Sequence, residues 1–124
     1  MRILKNKWFE RFALKQGITD NALKQAIGLV EQGLIDANLG AGVIKQRIAK
    51  HGQGKSSGFR TIILYCIKDK AFFVYGFEKS SRANLTKAEE SVYKKAAQIM
   101  LALTNEQIDE QIEIGELFEV TTND

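Results

Sequence analysis

Two strongly apolar segments in the middle of the chain constrain its fold more than any other feature. Residues 59–68 and 71–79 are rich in aromatic and β-branched side chains, and only Asp69 and Lys70 separate them. Such segments favour β-strands, and a two-residue connection favours a tight antiparallel hairpin. Apolar side chains occupy both alternating sets of positions, so both faces of these strands should be covered. The sequence therefore predicts two central strands with structure packed on either side.

Two helices are expected before this hairpin. In each segment apolar residues recur at the spacing of one helix face. The residues concerned are Trp8, Phe9, Phe12 and Ala13 in the first segment and Leu23, Ile27, Val30 and Leu34 in the second. Gly17 is typical of a helix C-terminus, and Thr19 or Asp20 can cap the helix that follows.

Residues 43–50 predict a third strand. Ile44 and Ile48 alternate there with Lys45 and Arg47, which is typical of a strand with one buried face. A further short strand is expected near residues 2–4. Cys66 has the parity of apolar strand positions and is expected to be buried.

Capping boxes at Thr86 and Thr104 predict two C-terminal helices, the first continuing to about Leu103 and the second ending before Gly115. The fold class is therefore α+β, with a small antiparallel sheet of about three to four strands. We expect a single domain over residues 1–124, in which residues 104–124 form an acidic C-terminal extension.

Charge is distributed very unevenly along the 124 residues. Residues 45–82 carry nine basic and two acidic side chains, whereas residues 83–124 carry three basic and nine acidic ones. A concentrated positive segment is typical of proteins that bind a polyanion. No apolar run is long enough to span a membrane and no signal peptide is evident, so a cytoplasmic protein without a membrane partner is expected.

Metal and cofactor chemistry has little support in the sequence. The chain has one cysteine, Cys66, and one histidine, His51, which is too few for a typical zinc site. Carboxylates are almost absent from the basic segment, whereas two-metal nucleases need them as ligands. We therefore expect no metal and no cofactor.

The basic side chains of the middle segment are expected to meet at one end of the sheet. Lys45 and Arg47 leave the same strand face about 7 Å apart, similar to the spacing of phosphates along a nucleic-acid strand. The hairpin places Arg60 and Lys79 near one another. The expected cluster consists of Lys45, Arg47, Lys55, Arg60, Lys79 and Arg82. The alternative is an ordinary solvated surface.

Three segments resemble the RelE/HigB toxin family. They are KQRIAK at 45–50, GKSSGFR at 54–60 and FVYGFEK at 73–79. Residues 36–40 and Asn84 also fit this pattern, and the similarity covers about positions 7–103. The resemblance implies a compact fold in which helices pack on a small antiparallel sheet.

The resemblance also implies an activity. Such toxins are ribosome-dependent mRNA interferases, which cut mRNA in the ribosomal A site without a metal and are neutralised by a cognate antitoxin, here expected to be a small helix-turn-helix protein. By motif position Arg60, Lys79, Lys45 and Arg47 are the candidate catalytic residues. The candidate RNA-binding residues are Lys50, Lys55 and Arg82.

One position departs from the family pattern. Leu85 occupies the place of a family tyrosine, and His51 and Tyr75 are the available substitutes for its acid–base or stacking role. Two alternatives therefore stay open: a RelE-fold protein that binds RNA or antitoxin without cleavage, and a gyrase-poisoning ParE-like toxin. The acidic C-terminal extension could pack on the domain, keep it soluble or inhibit the basic cluster.

Overall fold

The computed structural model describes residues 1–50 and 58–121. Within them the chain forms four helices and six strands. In chain order the elements are β1 (Arg2–Asn6), α1 (Lys7–Gln16), α2 (Asp20–Glu31), β2 (Ala37–Gly40), β3 (Val43–Ile48), β4 (Phe59–Cys66), β5 (Lys70–Glu78), α3 (Lys87–Met100), α4 (Asn105–Glu113) and β6 (Leu117–Glu119).

The strands form one mixed sheet in the order β2-β3-β4-β5-β1-β6. Strands β2 to β5 pair antiparallel in succession, but β1 runs parallel to β5, and β6 runs antiparallel to β1. The prediction of an antiparallel sheet with three to four strands is therefore wrong in size and in strand direction. The α+β class is confirmed.

Helices cover both faces of the sheet, as the apolar character of its central strands predicts. Helices α1 and α2 pack on one face through Phe9, Leu23 and Ile27, against Ile63 and Phe73 of the sheet. The opposite face meets α3 and α4. Its buried core includes Val43, Leu64, Phe72, Phe77, Ala97 and Ile108.

Local signals set most helix ends correctly. Gly17 ends α1 at φ 71°, in the left-handed region, and the Thr19 side chain caps α2. Both predicted capping boxes are present, at Thr86 and at Thr104. Leu34 departs from the expectation: α2 ends at Glu31, and Leu34 is 58% exposed instead of lying on the buried helix face.

The turn between β4 and β5 contains three residues instead of the predicted two. Lys70 pairs with Cys66 inside the ladder, and Lys68 adopts a positive φ of 61° in the turn. Lys70 is buried, and its ammonium group donates a hydrogen bond to the Leu103 carbonyl oxygen over 2.6 Å, which reduces the cost of burying the charge. Cys66 ends β4 half-buried instead of fully buried as expected.

The acidic C-terminal segment packs at the sheet edge farthest from β2. Strand β6 pairs with β1, and the Arg2 guanidinium forms ion pairs with Asp109 and Glu119 over 2.8 and 2.9 Å. Over residues 1–50 and 58–121, none of the helices has the length and apolar content to cross a membrane.

Gly58 closes the base of the connection between β3 and β4. A Cβ atom at this position would lie 2.0 Å from the Ile48 carbonyl oxygen, which is a backbone atom that cannot move away freely. The Gly58 carbonyl oxygen also accepts a hydrogen bond from the Lys79 main-chain N–H at 3.2 Å. Because Gly58 has no side chain, β3, the start of β4 and the end of β5 can approach one another closely beside Arg60.

We expect Gly58→Ala to lower the free energy of unfolding by about 2–3 kcal/mol, because the added methyl group collides with the β3 backbone. Gly28→Ala is the matched control, since a Cβ there meets no atom within 4 Å and α2 favours alanine. That control should gain about 0.5–1 kcal/mol. Equal stability of the two variants in urea unfolding would contradict the close contact at Gly58.

Candidate anion-binding site

The basic residues of β3 and β4 lie on the sheet face that also meets α3. Lys45 and Arg47 alternate with buried Ile44 and Ile48, so they project to the opposite side from α2. Helix α3 packs on the other end of this face through Ala97 and its neighbours. Lys45, Arg47 and Arg60 lie at the open end of this face, and each is half-buried. We call these three residues the basic face.

Arg47 and Arg60 are directly opposite each other in the β3–β4 ladder. Two like charges at such a position destabilise a sheet. In addition, the Nε atom of Arg47 and the Nη1 atom of Arg60 are buried and have no hydrogen-bond partner within residues 1–50 and 58–121. Both side chains are otherwise half-buried, so an anion that accepts from their accessible nitrogens would offset the repulsion between the two charges. The pair therefore concentrates positive charge at one point of the sheet.

Neighbouring segments hold the two β3 cations in place. Asp36, just before β2, accepts the Arg47 main-chain N–H at 2.6 Å and lies 3.2 Å from its guanidinium. The Lys45 ammonium group donates to the Asn84 side-chain oxygen at 2.6 Å. The segment after β5 therefore packs back on β3.

Arg82 is neutralised by a carboxylate. Both of its terminal nitrogens donate to Glu89, and its guanidinium carbon lies 5.4 Å above the Phe77 ring. Glu89 also accepts the Thr86 main-chain N–H, so one side chain caps α3 and holds Arg82. The Arg82 hydrogen bonds lower the pKa of Glu89 to about 2, so the ion pair persists at neutral pH.

The remaining predicted cations occupy different surroundings. Lys79 follows β5 and is exposed, opposite Gly58 at the same end of the sheet as Arg60. Lys50 is separated from the basic face: its ammonium group lies 3.5 Å from Glu78 and above the Phe59 ring. Lys55 and His51 fall outside the residues that the structure describes, so their predicted roles stay predictions.

Tyr75 lies beside the basic face, whereas Leu85 contributes to the core. The Tyr75 hydroxyl accepts a hydrogen bond from Arg82 at 3.4 Å. Leu85 is 9% exposed and packs beneath α3. Sequence reasoning missed Tyr93, whose ring centroid lies 6.0 Å from that of Tyr75 and whose pKa is raised to about 12 by burial. Tyr93 lies one helix turn after Glu89, and nothing in the sequence around it indicates a contact with Tyr75.

The arrangement can bind and stabilise negative charge. Guanidinium groups donate two parallel hydrogen bonds to phosphate oxygens, and a preorganised pair does so without rearrangement. In the described part of the chain, no three His, Cys, Asp or Glu side chains are grouped as metal ligands. The charged side chains at the face are the cations Lys45, Arg47 and Arg60 and the carboxylate of Asp36.

A family model matches almost the whole chain. It is the RelE toxin of the RelE / RelB toxin–antitoxin system, and it matches residues 1–120. The chain belongs to the RelE toxin family. This confirms the resemblance seen in the sequence and makes the protein a toxin of a toxin–antitoxin system, with a cognate antitoxin as its partner. A comparison with curated proteins gives no match.

The ion pair between Glu89 and Arg82 should limit the contribution of Arg82 to RNA binding in this RelE-family toxin. Glu89→Gln retains an oxygen for the α3 cap but removes the charge that neutralises Arg82. We expect affinity for single-stranded RNA to rise about threefold, and the plot of log affinity against log salt to steepen by about one unit. The measurement is a fluorescence anisotropy titration with labelled RNA at several salt concentrations.

Glu90→Gln is the matched control, because it changes the net charge equally at the next residue of α3 and leaves the Arg82 partner in place. Identical titrations for the two variants would show that only net charge matters, and would contradict a specific release of Arg82.

Proposed function

We propose that this toxin is a ribosome-dependent, metal-independent mRNA endoribonuclease that acts in the cytoplasm. The supporting observation is the Arg47–Arg60 pair, in which two half-buried guanidinium side chains lie directly opposite each other on the basic face. RelE-family toxins are generally endoribonucleases that inhibit translation, and the family match covers residues 1–120. The substrate proposed for the pair is the scissile phosphate of mRNA.

The proposed reaction is an internal phosphoryl transfer. The ribose 2′-hydroxyl attacks the adjacent phosphorus, the bond from phosphorus to the 5′-oxygen breaks, and the products carry a cyclic phosphate and a 5′-hydroxyl. Negative charge grows on the non-bridging oxygens during this step. Fixed cations that face those oxygens stabilise the transition state more than the ground state.

The roles of individual residues follow from their positions. Arg60 is assigned to the scissile phosphate, because its half-buried side chain lies directly across the ladder from Arg47, between β3 and β5. Arg47 is assigned to the same or the next phosphate, since it stands directly across the ladder. A base has to accept the proton of the 2′-hydroxyl, and an acid has to protonate the 5′-oxygen. Lys45 and Lys79 are the residues proposed for these proton transfers.

Dependence on the ribosome fits the shape of the site. The basic face is open and carries cations, which bind phosphates of any sequence. Such a surface contributes little to orienting a flexible RNA strand for in-line attack. Messenger RNA that is already held in the ribosomal A site arrives with its orientation fixed. This fixed orientation supplies much of the rate increase that comes from positioning the reacting groups.

One observation favours a second candidate function. Leu85, which occupies the place of the family tyrosine, is buried and apolar, so this position supplies neither stacking nor a proton. A RelE-fold protein that binds RNA or its antitoxin without cutting would not need that tyrosine. The two functions differ in whether the message is broken while translation stops.

We expect Arg60→Ala to lower mRNA cleavage at least about 100-fold in a reconstituted translation reaction, because the transition state loses its main phosphate donor. Arg60→Lys should retain part of the activity, as a lysine keeps the charge but loses the bidentate geometry. Lys95→Ala, at an exposed position of α3, is the control and should cleave normally.

Primer extension on the mRNA, with and without ribosomes, reads the result. Ribosome-dependent cuts that disappear in Arg60→Ala support the proposal. Intact message with blocked translation would contradict cleavage and favour the non-cleaving binder. Intact message with normal translation would contradict both and make DNA gyrase the next target to test.

A further inference from the structure

An exposed tryptophan of α1 lies over the edge of β5. Trp8 is 44% exposed although its ring contacts two aromatic neighbours, Phe12 at 5.1 Å and Tyr75 at 4.7 Å between centroids. Tyr75 in turn contacts Arg82 and the buried ring of Phe77, which pairs with Arg60 in the ladder. Aromatic contacts therefore connect Trp8 with the strand position beside Arg60.

Local structure fixes Trp8 in this position. The Asn6 side chain caps α1 by accepting the Phe9 main-chain N–H at 2.8 Å, and its amide donates to the Val74 carbonyl oxygen at 3.1 Å. Val74 is the extra residue of a β-bulge, since Ile62 and Ile63 pair with residues on either side of it. The start of α1 is thereby tied to the irregular part of β5.

Unpaired cations accompany the tryptophan. Arg11 and Lys15 are exposed on the same side of α1, and neither forms an ion pair with residues 1–50 or 58–121. Glu10, the acidic residue of this helix, points inward and lies 2.7 Å from the Lys5 ammonium group. A shallow, open hollow of about 350 Å³ on the surface of α1 is lined by Trp8, Arg11, Phe12, Lys15 and Gln16, and we call it the α1 groove.

We propose that the α1 groove binds a single-stranded segment of RNA, in which one base stacks on Trp8 and the flanking phosphates contact Arg11 and Lys15. An aromatic platform beside cations is the usual arrangement for binding single strands without sequence preference. Protein interfaces are, by contrast, depleted in lysine, whereas a phosphate strand can use both Arg11 and Lys15. The inference rests on the proposed function, since the same strand would continue to Arg60.

The Trp8 side chain reports its own contact, because the chain contains one tryptophan. The probe is a short single-stranded RNA with 2′-O-methyl groups, which the proposed reaction cannot cleave. We expect saturable quenching of Trp8 emission as this RNA is added to the full-length protein. The Arg60→Ala variant should show the same quenching at saturation, because the groove is separate from the scissile phosphate.

Two double variants that lose the same net charge test whether Arg11 and Lys15 contribute to RNA binding. Arg11→Gln with Lys15→Gln should weaken binding about tenfold and flatten the salt dependence by about two units. Lys68→Gln with Lys95→Gln removes the same charge from exposed positions elsewhere and should have little effect. Trp8→Leu should weaken binding of labelled RNA about tenfold, and Trp8→Tyr should restore most of it.

The outcomes separate this inference from the proposed function. Quenching by RNA in a protein that fails to cut mRNA supports the groove and contradicts the nuclease. Normal ribosome-dependent cleavage with unchanged Trp8 emission, or equal affinities for the two double variants, overturns the groove and leaves the nuclease standing. Quenching by the cognate antitoxin but not by RNA overturns it as well, and assigns the groove to a protein partner.

Discussion

The pairing of β3 with β4 places Arg47 opposite Arg60, and the functional surface depends on this unfavourable contact. Two like charges directly opposite each other in a ladder lower stability, and a bound anion would offset their repulsion. Neighbouring carboxylates reduce the repulsion among these cations: Asp36 pairs with Arg47, and Glu89 neutralises Arg82 nearby. The charges that oppose each other in the ladder are thus those proposed to meet the negative charge of the transition state.

The rest of the domain supplies stability away from this pair. Helices on both faces bury the central strands, and Gly58 lets the backbones of the β3–β4 connection approach closely. The acidic C-terminal segment pairs with Arg2 and β1, three strands away from β3 in the sheet. Of the roles considered for this segment, the observed contacts support packing on the domain. Acidic and basic charge are kept at opposite sides of the sheet.

Sequence reasoning worked where the signal was local and failed where partners were distant. The capping boxes at Thr86 and Thr104 and the alternation in β3 identified their elements correctly. Strands β2 and β6 have four and three residues, and they form only because the sheet provides a neighbour. Arg82 looked like a free cation because Glu89 had already been explained as a cap. The α1 groove was missed because Trp8 fits a core helix equally well.

In the proposed function, Arg47 and Arg60 together bind one phosphate. NMR spectra of the arginine Nε–H groups can detect this binding during titration with a dinucleotide that carries a 2′-O-methyl group at the scissile position. We expect saturable shifts of the Arg47 and Arg60 signals with one common affinity, while Arg2, already paired with Asp109 and Glu119, stays unchanged. Binding that leaves the Arg47 and Arg60 signals in place would contradict joint phosphate binding by the pair.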